Sequence, residues 1–383
     1  MTTPAWRSLR LALGTASALG LGRFAYGLIL PAMAERLSWD LARAGAMTTA
    51  NGLGYLAGAA TAAALSRRLG VVATFRLGMV LCASTLAATA ASHNYPALLA
   101  ERALTGFGGA LVFIAGAVLA PTAVYFAGTG AGIVLSAAII PALLDRHAER
   151  WPLAWVALAS AAAVAAAVSW SAAGPVAARD GRPAAPVRRL RPVAVVYLLF
   201  AAGYIAYITF LSAYLAARHA PATRTTFVWV MLGLAVLAAP LLWERPIRRW
   251  PGGLVLGALL GGTAVAAALA LLTSAVTVVI VSAVMYGLTF MAVPAAVTAL
   301  VRATTTPERL TGALSAFTVI FAVGQMAGPW LAGALADRTT AAAVLGWTAT
   351  LCAAGAVLAV VAIRARPRVV SASGTPAPRA PGG

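Results

Sequence analysis

Arg23 is the residue in this sequence most able to bind a charged ligand, because it lies inside an apolar run from about Leu11 to Ala34. About 20 consecutive apolar residues span a bilayer, so this run predicts a membrane-spanning helix with a guanidinium group near its centre. An arginine at that depth costs about 2.5–3.5 kcal/mol on insertion scales. We therefore expect Arg23 to face a wet cavity and a ligand, or to clamp a carbonyl or carboxylate group of another helix.

Apart from serines and threonines, the other polar side chains within the apolar segments include several tyrosines, two carboxamides and few acids. Asn51 and Tyr55 are four residues apart, so they share one face of a helix. Such side chains predict a polar site near the membrane centre; the alternatives are interhelical hydrogen bonds, worth about 1 kcal/mol each, and packing for the tyrosines. The predicted substrate-binding residues are Arg23, Tyr26, Asn51, Tyr55, Tyr204, Tyr207 and Gln325.

Glu101 is the only acidic residue clearly inside an apolar segment, and it lies close to one end of that segment. A proton pathway through a membrane needs a titratable side chain within it. Glu101 is therefore the one acidic candidate for coupling to protons. The alternative is an ion pair near the membrane surface, or a solvated carboxylate.

The composition is that of a membrane protein with many spans. Of the 383 residues, 62% are hydrophobic and 10% are charged, and the mean hydropathy is +0.90; soluble proteins have about 45–50% and about 25%, respectively. The net charge of +19 does not indicate nucleic-acid binding, because the arginines lie in short gaps between apolar segments. The sequence has no lysine for a phosphate-binding loop and no metal-ligand spacing of histidines. We expect no enzyme activity, no cofactor and no bound metal.

Charges, prolines and glycines divide the apolar sequence into twelve predicted membrane-spanning helices. The weakest boundary is the one between the fourth and fifth helices, where Pro121 is the only punctuation, so a count of eleven is the alternative. The predicted spans are 11–34, 43–65, 73–92, 97–119, 122–144, 153–173, 193–216, 225–243, 252–272, 275–300, 311–335 and 341–363.

The distribution of arginines predicts the orientation of these helices. Nineteen of the 28 arginines fall on the side of the membrane that holds the N-terminus, seven on the other side and two within spans. The positive-inside rule therefore predicts that both termini are cytoplasmic. The predicted domains are an N-terminal six-helix bundle (1–173), a cytoplasmic linker rich in proline and arginine (174–192), a C-terminal six-helix bundle (193–363) and a disordered cytoplasmic tail (364–383).

Weak repeats relate the two halves of the chain. Residues 22–26 match residues 203–207, and Arg102 on the fourth span corresponds to Tyr286 on the tenth. Gly128 and Gly132 correspond in the same way to Gly324 and Gly328. The shared order of these matches indicates a duplicated six-helix unit, and the paired glycines predict a sliding interface between the halves.

The motifs resemble those of the major facilitator superfamily along nearly the whole chain. Residues 102–110 are similar to the Arg-x-x-x-Gly-x-Gly signature of the fourth helix, and the resemblance implies that Arg102 takes part in coupling or gating. The cytoplasmic loop signature of the family is degraded after the second helix, where Arg67 replaces its aspartate. It is better kept after the eighth, where Glu244 and Arg245 match it, so the predicted coupling or gating residues are Glu101, Arg102, Glu244 and Arg245.

Several short motifs resemble the YbfB/YjiJ-like branch of this superfamily more narrowly. They are residues 22–26 with 30–33, 51–58, 203–204 with 209–210, and 324–329. The resemblance implies a transporter of the bacterial inner membrane. We expect a monomer that moves a small molecule by alternating access, with protons as a candidate coupling ion. We expect a polar or anionic metabolite bound near Arg23. The alternatives are an antiporter that exports amphipathic drugs and a membrane sensor that does not transport.

Overall fold

The computed structural model describes residues 4–120, 123–174, 190–273, 275–305 and 307–363, and every regular element within these ranges is helical. The fourteen α-helices of the described residues are joined by one π-helix (Ala16–Phe24) and one 3₁₀ turn (Ala148–Arg150). The α-helices are α1 (Pro4–Thr15), α2 (Tyr26–Leu37), α3 (Leu41–Leu69), α4 (Val71–Ala91), α5 (Tyr95–Leu119), α6 (Ala123–Leu144), α7 (Trp151–Trp170), α8 (Arg191–Ala217), α9 (Ala222–Arg249), α10 (Gly252–Leu272), α11 (Val276–Phe290), α12 (Ala292–Thr304), α13 (Pro307–Arg338) and α14 (Ala343–Ala362).

Eleven helical stretches of the described residues are long and apolar enough to cross a membrane. The helix α3 is not among them although it has 29 residues, because its apolar residues are interrupted by glycines, threonines, Asn51 and three arginines. The helices α5 and α6 are separate elements, so the alternative in which the fourth and fifth spans merge is wrong. Most of the predicted linker and the whole predicted tail (364–383) lie outside the described residues.

The predicted spans correspond to the observed helices with two notable differences. The helix α9 continues six residues beyond the predicted end, to Arg249, because the basic residues there continue the helical turn past the apolar segment. The tenth predicted span is divided at Met291 into α11 and α12. Pro294 lies in the first turn of α12 and has no N–H to continue the helical hydrogen bonds from α11, which is consistent with a break at this point.

The first membrane-spanning rod is not a regular α-helix. Between α1 and α2 it widens into the π-helix, where the backbone N–H of Ala25 donates to the carbonyl oxygen of Gly20 at 3.0 Å. Wide turns of this kind are rare and occur often at functional sites. Arg23 lies in the last turn of the π-helix and is 4% exposed, so the irregular backbone is where the buried charge is placed.

The bundle has two ends that its contacts define. At the near end, where α1 begins, Arg7 donates to the carbonyl of Ala172 at 2.9 Å and Arg10 to that of Val168 at 2.9 Å. These arginines satisfy carbonyl groups at the C-terminal end of α7, where positive charge is favourable. At the far end, where α3 begins and α13 ends, Asp337 reaches the first turn of α3.

The first and second halves of the chain meet mainly where α3 packs on α13, α6 on α9 and α2 on α8. Glycines allow the close approach of α6 and α9, since a Cβ on Gly130 would lie 2.6 Å from the carbonyl oxygen of Gly233. A Cβ on Gly233 would in turn lie 3.0 Å from that of Gly130. Backbones come this close only where side chains are small.

The glycines predicted to form a sliding interface between the halves lie elsewhere. Gly128 and Gly132 pack against the backbone of α1 and the π-helix, and Gly324 and Gly328 pack against the backbone of α8. Each pair therefore joins helices of the same half of the chain. Other residues of the two stretches contact the opposite half, since Gly130 approaches Gly233 and the carbonyl oxygen of Pro329 lies 2.5 Å from a Cβ built on Gly45. The two pairs nevertheless occupy equivalent places. Gly128 and Gly132 join the fifth span to the first, and Gly324 and Gly328 join the eleventh span to the seventh, which is the first span of the second half.

Candidate functional site

The central polar contact of the protein joins the two halves of the chain through one carboxamide. A guanidinium Nη2 of Arg23 donates to Oε1 of Gln325, and Nε2 of Gln325 donates to the hydroxyl oxygen of Tyr204 at 2.5 Å. Gln325 is fully buried and Tyr204 is 3% exposed. The residues come from the π-helix, α13 and α8, which lie far apart in sequence, so the packing of the helices assembles this group.

Arg23 has little else to neutralise its charge. Its guanidinium carbon lies 5.4 Å from the centre of the Tyr55 ring, within the range of a cation–π contact, and its Nε is buried without a hydrogen-bond partner. In the described part of the chain, no ion pair joins Arg23 to a carboxylate. Burying a cation that contacts only an amide and a ring is costly, so binding of an anion at this position would be favourable.

Arg102 fixes the backbone beside Arg23. Its Nη1 donates to the carbonyl oxygen of Gly22 at 2.7 Å, and its guanidinium carbon lies 5.4 Å from the ring centre of Tyr26 and 5.3 Å from that of Trp155. The side chain is fully buried. Since it holds the peptide that precedes Arg23 and is enclosed by rings, Arg102 is placed to position the π-helix.

Three of the predicted substrate-binding residues have internal hydrogen-bond partners away from Arg23. The Tyr26 hydroxyl donates to the carbonyl of Ala44 at 2.7 Å, and the Asn51 amide donates to the carbonyl of Arg102 at 3.1 Å. The Tyr207 hydroxyl shares a hydrogen bond with Ser282 at 2.8 Å. The structure therefore brings together Arg23, Tyr55, Tyr204 and Gln325 and places Tyr26, Asn51 and Tyr207 around them.

The two halves hold their first spans in parallel ways. Arg102 on α5 bonds the carbonyl of Gly22, and Tyr286 on α11 donates its hydroxyl to the carbonyl of Tyr204. The repeat aligns the two donors, Arg102 and Tyr286, and it aligns Arg23 with Tyr204, so the two acceptor carbonyls differ by one position. The cation of one half is thus replaced by a phenol in the other, and the two meet at Gln325.

A family model described as "Uncharacterised MFS-type transporter YbfB" matches residues 15–365 of the chain. The chain belongs to this family of major facilitator transporters. The match covers most of the sequence and bears out the resemblance read from the short motifs. The family is one of transporters rather than enzymes. No curated protein sequence matches the chain.

Solved structures of two other transporters share the fold. A point mutant of the nucleoside transporter NupG has a TM-score of 0.73 at 13% identity, covering 92% of this chain and 99% of that one. A bacterial homologue of the human lysosomal transporter Spinster, in an inward-facing and unoccupied conformation, has a TM-score of 0.66 at 14% identity, covering 95% and 96%. At these identities the likeness shows the fold alone.

The predicted coupling residues other than Arg102 lie away from Arg23. Glu101 is half-buried near the start of α5, and Glu244 and Arg245 are exposed near the end of α9, where Glu244 pairs with Arg248 at 3.7 Å. In the described part of the chain, none of their hydrogen bonds or ion pairs joins them to the polar group around Arg23, so their roles stay predictions. Among those residues, no group of three or more His, Cys, Asp or Glu could hold a metal ion.

Asp337 was missed from the sequence as an interaction residue. Its carboxylate accepts the backbone N–H groups of Leu41 at 2.9 Å and Ala42 at 2.8 Å, while Asp40 accepts that of Arg43 at 2.7 Å. A carboxylate at the N-terminus of a helix binds free N–H groups and the positive end of the dipole. Asp337 therefore ties the end of α13 to the start of α3, across the two halves of the chain. From the sequence alone, the position of Asp337 at the end of a helix indicates a solvated side chain, which is why this contact could not be predicted.

We expect Asp337→Asn to loosen the far end of this transporter, because the neutral amide interacts more weakly with the α3 terminus, by about 1 kcal/mol. The reaction rate of a cysteine introduced at the half-buried Thr49, which contacts α13, measures this opening and should rise about fivefold. The matched control is Asp40→Asn, which removes a negative charge at the same helix terminus but keeps an oxygen that can accept the N–H of Arg43 within its own half. Equal rates in both variants would contradict the role of Asp337 as a link between halves.

Proposed function

We propose that this protein is a secondary transporter that carries a small anionic or polar metabolite across the bacterial inner membrane by alternating access. In this proposal two six-helix bundles, residues 1–173 and 193–363, rock about a central site with both termini in the cytoplasm. Membership of a transporter family and the excess of arginine on the side of the N-terminus support it.

One observation carries the choice of an anionic substrate: the buried guanidinium of Arg23 is hydrogen-bonded to a neutral carboxamide and to no carboxylate of the described chain. Burying a cation without a counter-charge is costly, and Arg102 adds a second buried cation close to it. A bound carboxylate or phosphate would supply the missing charge and would satisfy the free Nε.

The position of Arg23 also supports a coupling between binding and movement. Its hydrogen bond to Gln325 crosses from the first half of the chain to the second, so an anion that takes the guanidinium away from the carboxamide would change a contact between the halves. A substrate can shift a conformational equilibrium only through such a difference in contacts between the two states.

Thermal unfolding of the detergent-purified protein with pairs of small carboxylates and their neutral amides tests the charge of the substrate. A ligand at 100 times its Kd stabilises the native state by about 2.7 kcal/mol, so we expect a carboxylate to raise the Tm and its amide to leave the Tm unchanged. Counterflow of the stabilising carboxylate in proteoliposomes then tests transport. Stabilisation by amides alone would contradict anion binding, and binding without exchange would favour the sensor alternative.

A further inference from the structure

A row of aromatic rings on α8 leads to the polar group around Arg23. Tyr197, Phe200 and Tyr204 are three and four residues apart, so they lie on one face of the helix. The Phe200 and Tyr204 rings are stacked, with centroids 4.7 Å apart, and so are those of Tyr197 and Phe200 at 6.2 Å. The last ring of the row carries the hydroxyl that receives the Gln325 amide.

The helix α13 adds rings to the same wall. Phe317, Phe321 and Gln325 follow one another at intervals of four residues and share a face. The Phe321 ring stacks on that of Tyr197 at 4.8 Å and lies 5.7 Å from that of Tyr204. The rings of α8 and α13 therefore form one aromatic wall that ends at the carboxamide bound to Arg23.

A second aromatic wall belongs to the first half of the chain. The Tyr55 ring lies beneath the Arg23 guanidinium at 5.4 Å, the Phe113 ring lies 6.3 Å from that of Tyr55, and the Phe126 ring lies 5.3 Å from that of Phe113. In the described part of the chain, no ring contact joins this wall to the one on α8 and α13. Arg23 touches both, through Tyr55 on one side and Gln325 on the other.

Three of the eight rings in these two walls are only half-buried. Phe113, Phe126 and Phe321 are each half-buried; Phe113 contacts the rings of Tyr55 and Phe126, and Phe321 contacts that of Tyr204. The exposed surface of Phe113 and of Phe321 thus belongs to rings that contact Tyr55 and Tyr204, which adjoin Arg23 and Gln325. Aromatic surface of this kind favours a second planar ring, since offset and edge-to-face pairs contribute about 0.5–1.5 kcal/mol beyond the area that they bury.

We propose that the anion bound at Arg23 carries a planar aromatic ring, as an arylcarboxylate does. This inference rests on the proposed function and names the substrate class of the same site. The carboxylate pairs with the guanidinium, whose forked N–H groups match two oxygens, and the ring inserts between the two aromatic walls. A small aliphatic anion would use the guanidinium but leave the exposed ring surfaces without a partner.

Three probes of similar size separate the contributions of charge and ring. Benzoate has both, cyclohexanecarboxylate has the same charge on a saturated ring, and benzamide has the same ring without the charge. We expect calorimetry on the full-length protein in detergent to give a Kd for benzoate about fivefold lower than for cyclohexanecarboxylate, a ratio equivalent to about 1 kcal/mol, and no binding of benzamide.

A variant at the wall identifies where the ring binds. Phe321→Leu should raise the Kd for benzoate about fivefold and leave that for cyclohexanecarboxylate unchanged, because only the stacking contact is lost. The matched control is Phe227→Leu, which changes a ring 50% exposed on the surface of α9 and should alter neither Kd. If Phe321→Leu does not fold, the comparison of the three probes on the unchanged protein still tests whether an aromatic ring strengthens binding.

The outcomes distinguish this inference from the proposed function. Equal Kd values for benzoate and cyclohexanecarboxylate would contradict a preference for an aromatic ring but would be compatible with an anion site at Arg23. Benzamide that binds as tightly as benzoate would instead overturn the role of charge at Arg23. If none of the three binds while an aliphatic carboxylate raises the Tm, the aromatic class is wrong and the proposed function holds.

Discussion

Replacing Arg23 with glutamine should weaken binding of an anionic substrate by about 100-fold or more, equivalent to ~3 kcal/mol. Glutamine is polar but shorter than arginine and uncharged, so it removes the charge that attracts the anion. Calorimetry with a carboxylate that stabilises the unchanged protein measures the loss, and counterflow in proteoliposomes should fall to the background rate. Arg23→Lys keeps the charge without the forked geometry, and we expect an intermediate loss of about tenfold.

The same variant distinguishes a ligand-binding arginine from a structural clamp. Without a ligand, Arg23 is a buried cation that has no carboxylate partner in the described chain, so its removal should leave the Tm of the free protein unchanged or raise it. A clamp would behave in the opposite way, because its loss would leave Gln325 with an unpaired oxygen. Arg338→Gln, at an exposed position of α13, is the control for a change in net charge alone and should preserve binding.

The sequence identifies the polar residues of the site but not their partners. Arg23, Tyr55, Tyr204 and Gln325 could be selected because polar side chains are rare in apolar segments and need an internal reason. Their association depends on how the first, second, seventh and eleventh spans pack, and no local pattern specifies that. Tyr26 and Tyr207 looked equivalent to Tyr55 from sequence, yet their hydroxyls meet Ala44 and Ser282.

The π-helix at Arg23 could not be predicted either, because it is set by packing rather than by a local propensity. Gly20 lies against the backbone of Gly132 on α6, and the carbonyl oxygen of Gly22 accepts a hydrogen bond from the guanidinium of Arg102.

The internal repeat predicted a second feature of the structure. It aligned Arg102 with Tyr286, and both side chains bond a carbonyl group of the first span in their own half.

The aromatic walls were present in the sequence as helical spacing. Phe317, Phe321 and Gln325 are separated by four residues each, and Tyr197, Phe200 and Tyr204 by three and four. Apolar residues at this spacing are common on every buried helix face, so the pattern alone cannot distinguish a binding wall from ordinary packing. The half-buried state of Phe321 beside Gln325 makes the difference, and it is a property of the packed helices.

Gly106→Ala should strongly destabilise the protein although it adds only one methyl group. The helices α3 and α5 cross in such close contact that a Cβ on Gly106 would overlap the carbonyl oxygen of Asn51, and a Cβ on Gly54 would overlap that of Ala103. A backbone oxygen cannot rotate away as a side chain can, so the helices must separate. Overpacking of this kind costs about 3 kcal/mol, which thermal unfolding in detergent should show as a lowered Tm.

The same separation should reach the site, because α3 carries Tyr55 beneath Arg23 and α5 carries the Arg102 that holds Gly22. We therefore expect Gly106→Ala to weaken carboxylate binding as well as stability. Gly346→Ala in α14 is the matched control, since a Cβ there would meet nothing within 4 Å, and alanine favours a helix over glycine by about 1 kcal/mol. Its Tm should stay equal or rise. Equal Tm values for the two variants would mean that the close contact between α3 and α5 at Gly106 does not stabilise the protein.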